Sequence, residues 1–302
     1  MKTDILHLTD QSEHYPKRFQ NYSHMPTDLY WSGNLPREDL PTVAIVGARM
    51  CSSYGRIQAF EFAKVFSNAG VQVISGLAYG IDAEAHKGAL EGKTPTFAVL
   101  GCGPETCYPS ANKALYHRIL HQNGGIISEY PPGTPALPHH FPIRNRIISA
   151  LADVVLVIEA KDKSGSLITA NYAMEQGKSV YALPGSINDS LSIGCHRLIY
   201  DGAGIAYCPE VILEELGINV SGIFGEKEKM RKKHCFQDKN QEEVYNCLSL
   251  QPKNIETLTE ETGLGYGDLC NALLQLELQG MIRETGLHNY IRCEMTSTSK
   301  RV

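Results

Sequence analysis

Val43-Ala44-Ile45-Val46-Gly47-Ala48-Arg49 is followed by apolar residues at helical spacing over Arg56–Asn68, and then by Val71-Gln72-Val73-Ile74-Ser75-Gly76. That succession decides the fold class. An apolar run this short, rich in valine and isoleucine and closed by glycine, is how a strand covered on both faces of a parallel sheet reads. The unit recurs downstream: Phe97–Leu100, Ile126–Ile127, Val154–Ile158 and Val180–Leu183 repeat the strand pattern, and Ala83–Glu91, Asn112–His121 and Leu167–Gln176 repeat the helical one. Strand alternating with helix predicts a doubly wound parallel α/β sheet over residues 41–217.

Working outward, residues 1–40 carry Tyr15-Pro16, Leu29-Tyr30-Trp31 and Gly33-Asn34, and read as an N-terminal segment that packs on the sheet. On the other side, residues 218–240 are polar, with Glu226-Lys227-Glu228-Lys229 and Arg231-Lys232-Lys233, and read as a linker. Its basic triplet suits either a phosphate contact or a solvated tether. Over residues 241–295 the period changes. Val244 and Leu248, then Ile255 and Leu258, mark two short helices, and Leu269, Leu273 and Leu276 a third at i, i+4, i+7. Met281-Ile282 and Tyr290-Ile291 mark a two-stranded wing. The sum is a small C-terminal winged-helix domain, with residues 296–302 as a tail. From Phe236 onward six basic residues face ten acidic ones, a net of −4, which is a poor match to duplex DNA and favours a protein contact.

Bulk properties narrow the classes. The 302 residues, 42% hydrophobic and 20% charged, suit a globular protein of about two domains. There is no apolar run of about 18 residues to span a membrane. The start, Met1-Lys2-Thr3-Asp4-Ile5-Leu6-His7, lacks the apolar stretch of a secretory signal. The nine scattered cysteines therefore read as reduced thiols of a cytoplasmic protein. A net charge of −5 excludes a diffuse polycationic binder of nucleic acid and confines any phosphate site to a local pocket.

In a doubly wound sheet, ligands lie outside the carboxyl ends of the strands. Here those ends carry Gly47-Ala48-Arg49 with Ser52-Ser53 opening a helix, Ser75-Gly76-Leu77-Ala78-Tyr79-Gly80-Ile81-Asp82, Gly101-Cys102-Gly103 with Tyr108-Pro109, Arg144-Asn145-Arg146, and Ser164-Gly165-Ser166. Glycine permits close backbone approach, a helix N-terminus attracts an anion, and an arginine fork matches phosphate. Phosphate is the ligand such a lining suits. The dinucleotide fingerprint is absent, since Thr106 stands where its third glycine belongs, and the P-loop is absent, since Lys87 stands where its first glycine belongs. No cofactor is therefore implied. Asp82 and His86 share a helix face and could form an acid–base pair or a cap beside a hydrogen-bonded histidine. His117 and His121 share another, without a third ligand, so no metal site is expected. Cys102 and Cys107 read as small loop residues, and His139-His140 beside Phe141 as either base-stacking or loop-shaping.

Taken in order, Val43–Arg49, Ser75–Asp82 with Ala85-His86, Phe141–Ser149, Gly165–Ala170 and Ala182–Ser186 resemble the motifs of the DNA-processing protein A (DprA/Smf) family across the central 60% or so of the chain. The tail is similar to the winged-helix module of many members. The resemblance implies an extended Rossmann-like domain that binds single-stranded DNA without base specificity and is not an enzyme. It also implies a RecA recombinase partner that receives the strand in natural transformation or recombination, and a homodimer. By resemblance, Arg49 contacts phosphate, Ser75, Gly76, Gly80 and Asp82 line the same pocket, and Arg144, Asn145, Arg146, Ser164, Gly165 and Ser166 complete it; Ser53 joins them as a hydroxyl donor at the helix start. Ala48, Glu105 and His196 depart from the usual serine, aspartate and asparagine. Two other readings stand beside this one. One is a nucleoside monophosphate phosphoribohydrolase using Asp82 and Glu129, and the other is an adaptor sensing a small nucleotide.

Overall fold

The computed structural model describes residues 4–219, 238–249, 252–286 and 288–292. The chain divides into two compact units, and residues 220–237 of the stretch read as a linker, its basic triplet included, lie outside the described residues. The first unit is built on a nine-stranded sheet. Its strands are β1 (Ile5–Thr9), β2 (Asp28–Gly33), β3 (Thr42–Val46), β4 (Gln72–Ser75), β5 (Thr96–Leu100), β6 (Gly125–Ser128), β7 (Val154–Val157), β8 (Ser179–Ala182) and β9 (Gly204–Ile205). Their order in space is β1-β2-β6-β5-β4-β3-β7-β8-β9. From β6 to β9 every pairing is parallel, and the predicted doubly wound sheet is present. The N-terminal segment does more than pack on that sheet. β2 pairs antiparallel with β6, and β1 with β2, so these residues lengthen the sheet itself. Tyr30 and Trp31 lie opposite Ser128 and Ile127, a pairing across 98 and 96 residues of chain that no local pattern announces.

Among the described residues seven α-helices accompany the strands: α1 (Ser53–Asn68), α2 (Ile81–Ala89), α3 (Lys113–His121), α4 (His140–Leu151), α5 (Gly165–Glu175), α6 (Ile193–Tyr200) and α7 (Glu210–Glu215). The strands are buried on both faces because helices cover both. Phe97 and Val99 of β5 pack with Ile147, Ile148 and Leu151 of α4, while the alternate residues Ala98 and Leu100 pack with Ala83 of α2 and Leu115 and Ile119 of α3. Helix ends are closed locally. The Ser52 hydroxyl accepts from the Gly55 amide at the start of α1, and the Lys178 ammonium donates to the carbonyls of Ser149, Ala150 and Ala152 at the end of α4.

The second unit holds α8 (Lys239–Cys247), β10 (Lys253–Asn254), α9 (Ile255–Thr262), α10 (Tyr266–Leu278), β11 (Ile282–Gly286) and β12 (Asn289–Arg292). The three strands pair as β10-β12-β11. Gly263, with φ +67°, closes α9 in the left-handed conformation and turns the chain into α10. Val244, Leu248, Leu258, Leu269, Leu273, Leu276 and Ile282 make one apolar core, the predicted winged helix.

Candidate nucleic-acid interface

The parallel strand order reverses direction of growth between β3 and β7, and the loops leaving these two strands diverge there. A cleft of about 350 Å³ opens at that point. Its floor is Val46, Gly47 and Arg144, one side is Phe141, Pro142 and Asn145 of α4, and the other is Ser164, Gly165, Ser166 and Thr169 at the start of α5.

Arg49 stands at the rim, exposed, its guanidinium carbon 5.4 Å from the centre of the Phe141 ring. Among the described residues it has no carboxylate within ion-pair distance. The backbone beneath it is held by the second glycine motif. Gly80 has φ +73°, and a Cβ there would meet the carbonyl oxygens of Ala48 and Arg49 at 2.4 and 2.5 Å. Only glycine lets the two loops come so close, and the Ile81 amide then donates to the Ala48 carbonyl at 3.2 Å.

Arg144 is a different arginine. It is 3% exposed and donates to the Gly76 and Val99 carbonyls and, at 3.2 Å, to the Asn145 side-chain oxygen. Burial lowers its pKa to about 10, still well above neutrality, while nearby Asp82 holds it up. Asp82 accepts the Gly76 and Ala78 amides at 3.2 and 3.3 Å. Burial raises its carboxyl pKa, against Arg144 and those two amides, which favour the anion. Arg144 and Asp82 thus form an internal frame beneath the cleft. Asn145 joins it to the far wall by donating to the Gly165 carbonyl at 3.2 Å.

The two serine-bearing helix starts behave oppositely. At α1 the anion position is filled from inside: the buried Glu159 carboxylate accepts the Ser52 amide at 2.9 Å and the Ser52 hydroxyl. Ser53, first residue of α1, therefore does not line the cleft. At α5 the end is open. The Ser164 hydroxyl caps the helix and lies 2.8 Å from the Ser166 hydroxyl, and an added Cβ at Gly165 would meet nothing within 4 Å. A helix dipole and the paired hydroxyls of Ser164 and Ser166 line the cleft there.

Seven of the expected residues therefore meet around the cleft: Arg49, Asp82, Arg144, Asn145, Ser164, Gly165 and Ser166. Gly80 lines a neighbouring hollow that shares Arg49. Ser75 is buried and spends its hydroxyl on the Ile45 carbonyl at 2.6 Å, and Gly76 lies beneath the Arg144 guanidinium. Arg146 points elsewhere: it forms a two-pronged ion pair with Glu129 at 2.9 and 2.7 Å and donates to the His24 carbonyl. Arg144 and Arg146 lie two positions apart on α4, about 200° around the helix, so they face opposite sides and do not share a pocket. The expected site residues omit the aromatic wall, Phe141 with Tyr108 at 5.4 Å between ring centres. The signal for Phe141 is its place three residues before Arg144 on α4, and for Tyr108 its place in the loop after β5.

The Asp82–His86 alternative resolves structurally. The Thr96 hydroxyl donates to the Val73 carbonyl at 2.8 Å, so it accepts from His86 Nδ1 at 2.8 Å, which assigns the ring proton to Nδ1. Nε2 is buried without a partner, and burial lowers the imidazole pKa to about 3. His86 is a neutral core histidine. His140, bonded to the Gly101 carbonyl and stacked on Tyr130 at 4.0 Å, shapes its loop.

Fold and cleft together define a doubly wound α/β protein with an open, arginine-rimmed cleft at its switch point, followed by a winged-helix module. Two family models match: DNA recombination-mediator protein A over residues 6–217, and the DprA winged helix domain over residues 236–286. The chain is 44% identical over 201 residues to DNA processing protein DprA of Streptococcus pneumoniae, covering 67% of this chain and 71% of that one. It is 37% identical over 278 residues to protein Smf of Escherichia coli, covering 90% and 73%. Among solved structures, DprA from Streptococcus pneumoniae superposes with a TM-score of 0.66 at 42% identity, over 71% of this chain and 74% of that one. DNA processing protein A from Helicobacter pylori, described for its single-stranded DNA binding mode, superposes with a TM-score of 0.64 at 30% identity, over 71% and 96%. The chain belongs to the DprA/Smf family.

Proposed function

We propose that the cleft grips the backbone of single-stranded DNA without reading its sequence. The observation that carries this is Arg49, exposed and unpaired among the described residues, opposite the open start of α5 and stacked on Phe141. A guanidinium and a helix N-terminus hold phosphate, and an aromatic wall stacks any base, because every base has a π face. A cleft of this size admits a flexible strand and excludes a stiff duplex. The role is binding, not catalysis. Of the two carboxylates a glycosidic cleavage would use, Glu129 is occupied by Arg146 away from the cleft, and Asp82 is spent on backbone amides.

On the family resemblance, the held strand is delivered to a RecA recombinase during transformation or recombination, and the protein acts as a homodimer. Ile205 on the edge strand β9 and Tyr207 just beyond it are exposed, and an open sheet edge bearing exposed apolar side chains supports self-association.

The test is fluorescence anisotropy with labelled single- and double-stranded oligonucleotides at several salt concentrations. Wild type should prefer the single strand with little sequence dependence. Arg49→Ala should lose most affinity, and its log–log salt slope should become shallower by about 0.7 for one phosphate lost. Duplex binding untouched by Arg49→Ala would move the DNA site elsewhere. A protein that binds DNA but leaves the onset of RecA ATP hydrolysis on the strand unchanged would remove the RecA step.

A further inference from the structure

The third helix of a winged-helix unit usually meets DNA, yet α10 carries no lysine or arginine to meet a phosphate. Tyr266, Cys270, Leu274 and Leu278 recur every four residues along its outer side, beside the core positions Leu269, Leu273 and Leu276. Tyr266, Leu274 and Leu278 are 65, 54 and 74% exposed. The ridge runs for about 18 Å, three turns and more of helix. Isolated exposed leucines are ordinary; an unbroken apolar row on an otherwise soluble helix marks a docking surface.

Charge says what covers it. The only charged residues of α10 are Asp268 and Glu277. Glu277 also accepts the Glu284 backbone amide at 3.2 Å, and the Glu284 carboxylate on neighbouring β11 accepts the His288 amide at 2.8 Å. The described residues of the unit hold four cations against nine carboxylates. Two of those cations are engaged inside it: Lys253 pairs with Glu261 at 2.6 Å, and Arg292 lies over the Tyr245 ring at 4.2 Å. This rim repels a phosphate backbone, and two copies face to face would set carboxylates against carboxylates. A row at i, i+4, i+8, i+12 is also the ridge that interdigitates in the commonest class of helix packing, at about −50°.

We propose that α10 docks a basic amphipathic helix of a partner protein, whose own apolar i, i+4 row crosses the Tyr266–Leu278 ridge and whose lysines or arginines meet Asp268, Glu277 and Glu284. The surface is independent of the DNA cleft.

The probe is a labelled synthetic helical peptide of leucine and lysine, about five turns long, titrated by anisotropy onto the full chain. The wild type should bind it saturably. Leu274→Ser/Leu278→Ser, at exposed positions, should weaken binding about tenfold or more, and Asp268→Lys/Glu277→Lys should do likewise. Glu242→Lys/Glu243→Lys on α8, with the same change of net charge, should leave it intact. Unchanged thermal unfolding and unchanged single-strand binding in the leucine variant separate this result from misfolding and from failure of the cleft. Equal loss in the α8 variant would reduce the effect to bulk charge and overturn the proposal. So would equal binding of a peptide with glutamate for lysine, or a shift of the leucine variant to smaller species in sedimentation, which would make the ridge a self-interface.

Discussion

Two arginines of the same cleft differ in what their removal costs. Arg49 is a surface group whose loss leaves nothing buried unpaired, so Arg49→Ala should keep the wild-type melting temperature while DNA binding fails. Removing Arg144 strips partners from the Gly76 and Val99 carbonyls and leaves Asp82 uncompensated. Arg144→Ala should therefore destabilise by about 3–5 kcal/mol, read from urea midpoints. His86 sets a pH dependence. Its folded pKa, about 3, lies below the ordinary value of 6.5, so the unfolded chain binds the extra proton between those limits. Stability is then lost as pH falls from 6.5 toward 3, by about 1.4 kcal/mol per pH unit from this group. His86→Gln should give a flatter dependence in urea unfolding between pH 6 and 4, whatever its stability at neutrality.

Two helices begin with similar serine-rich turns and meet different fates, because Glu159 at the end of β7 reaches one and not the other. Glu159→Ala should leave the Ser52 amide unpaired and cost about 1–3 kcal/mol, measured by chemical denaturation. Ser164→Ala, which removes the cap of α5, should cost about 1 kcal/mol and also weaken DNA binding, since the same hydroxyl faces the cleft. That α5 and not α1 offers the open end was not legible in the chain. The distance from Ser52 to Glu159 is 107 residues. The alternation that marks α1 and α5 as helices is local, while the carboxylate that closes one of them arrives through the sheet.

Each unit has its own core, one around β3 to β8 and one around α8 to α10. A chain ended at Asn219 should fold and bind single-stranded DNA with affinity close to that of the whole, which anisotropy with the shortened protein would check. Within the first unit, the N-terminal residues are inseparable from the sheet. Leu8, Tyr15, Phe19 and Leu29 lie in the same core as Ile147 and Val155. Ile205→Arg at the open β9 edge should shift sedimentation toward monomer if that face carries the dimer.

Periodicity and punctuation, which depend on a few neighbouring residues, determined by themselves the doubly wound sheet, the winged helix and the candidate phosphate-binding motifs at the strand ends. They reach no further than one element. Tertiary structure alone decided that β1 and β2 extend the sheet across β6, that Ser75 and Arg144 are internal ties, and that Arg146 turns to Glu129. It also decided that Phe141 walls the cleft beside Arg49. The reason is physical: whether a polar side chain is free for a ligand depends on whether a donor or acceptor far along the chain has already reached it. A buried group must find such a partner, and only an exposed one can leave its hydrogen-bonding capacity for DNA.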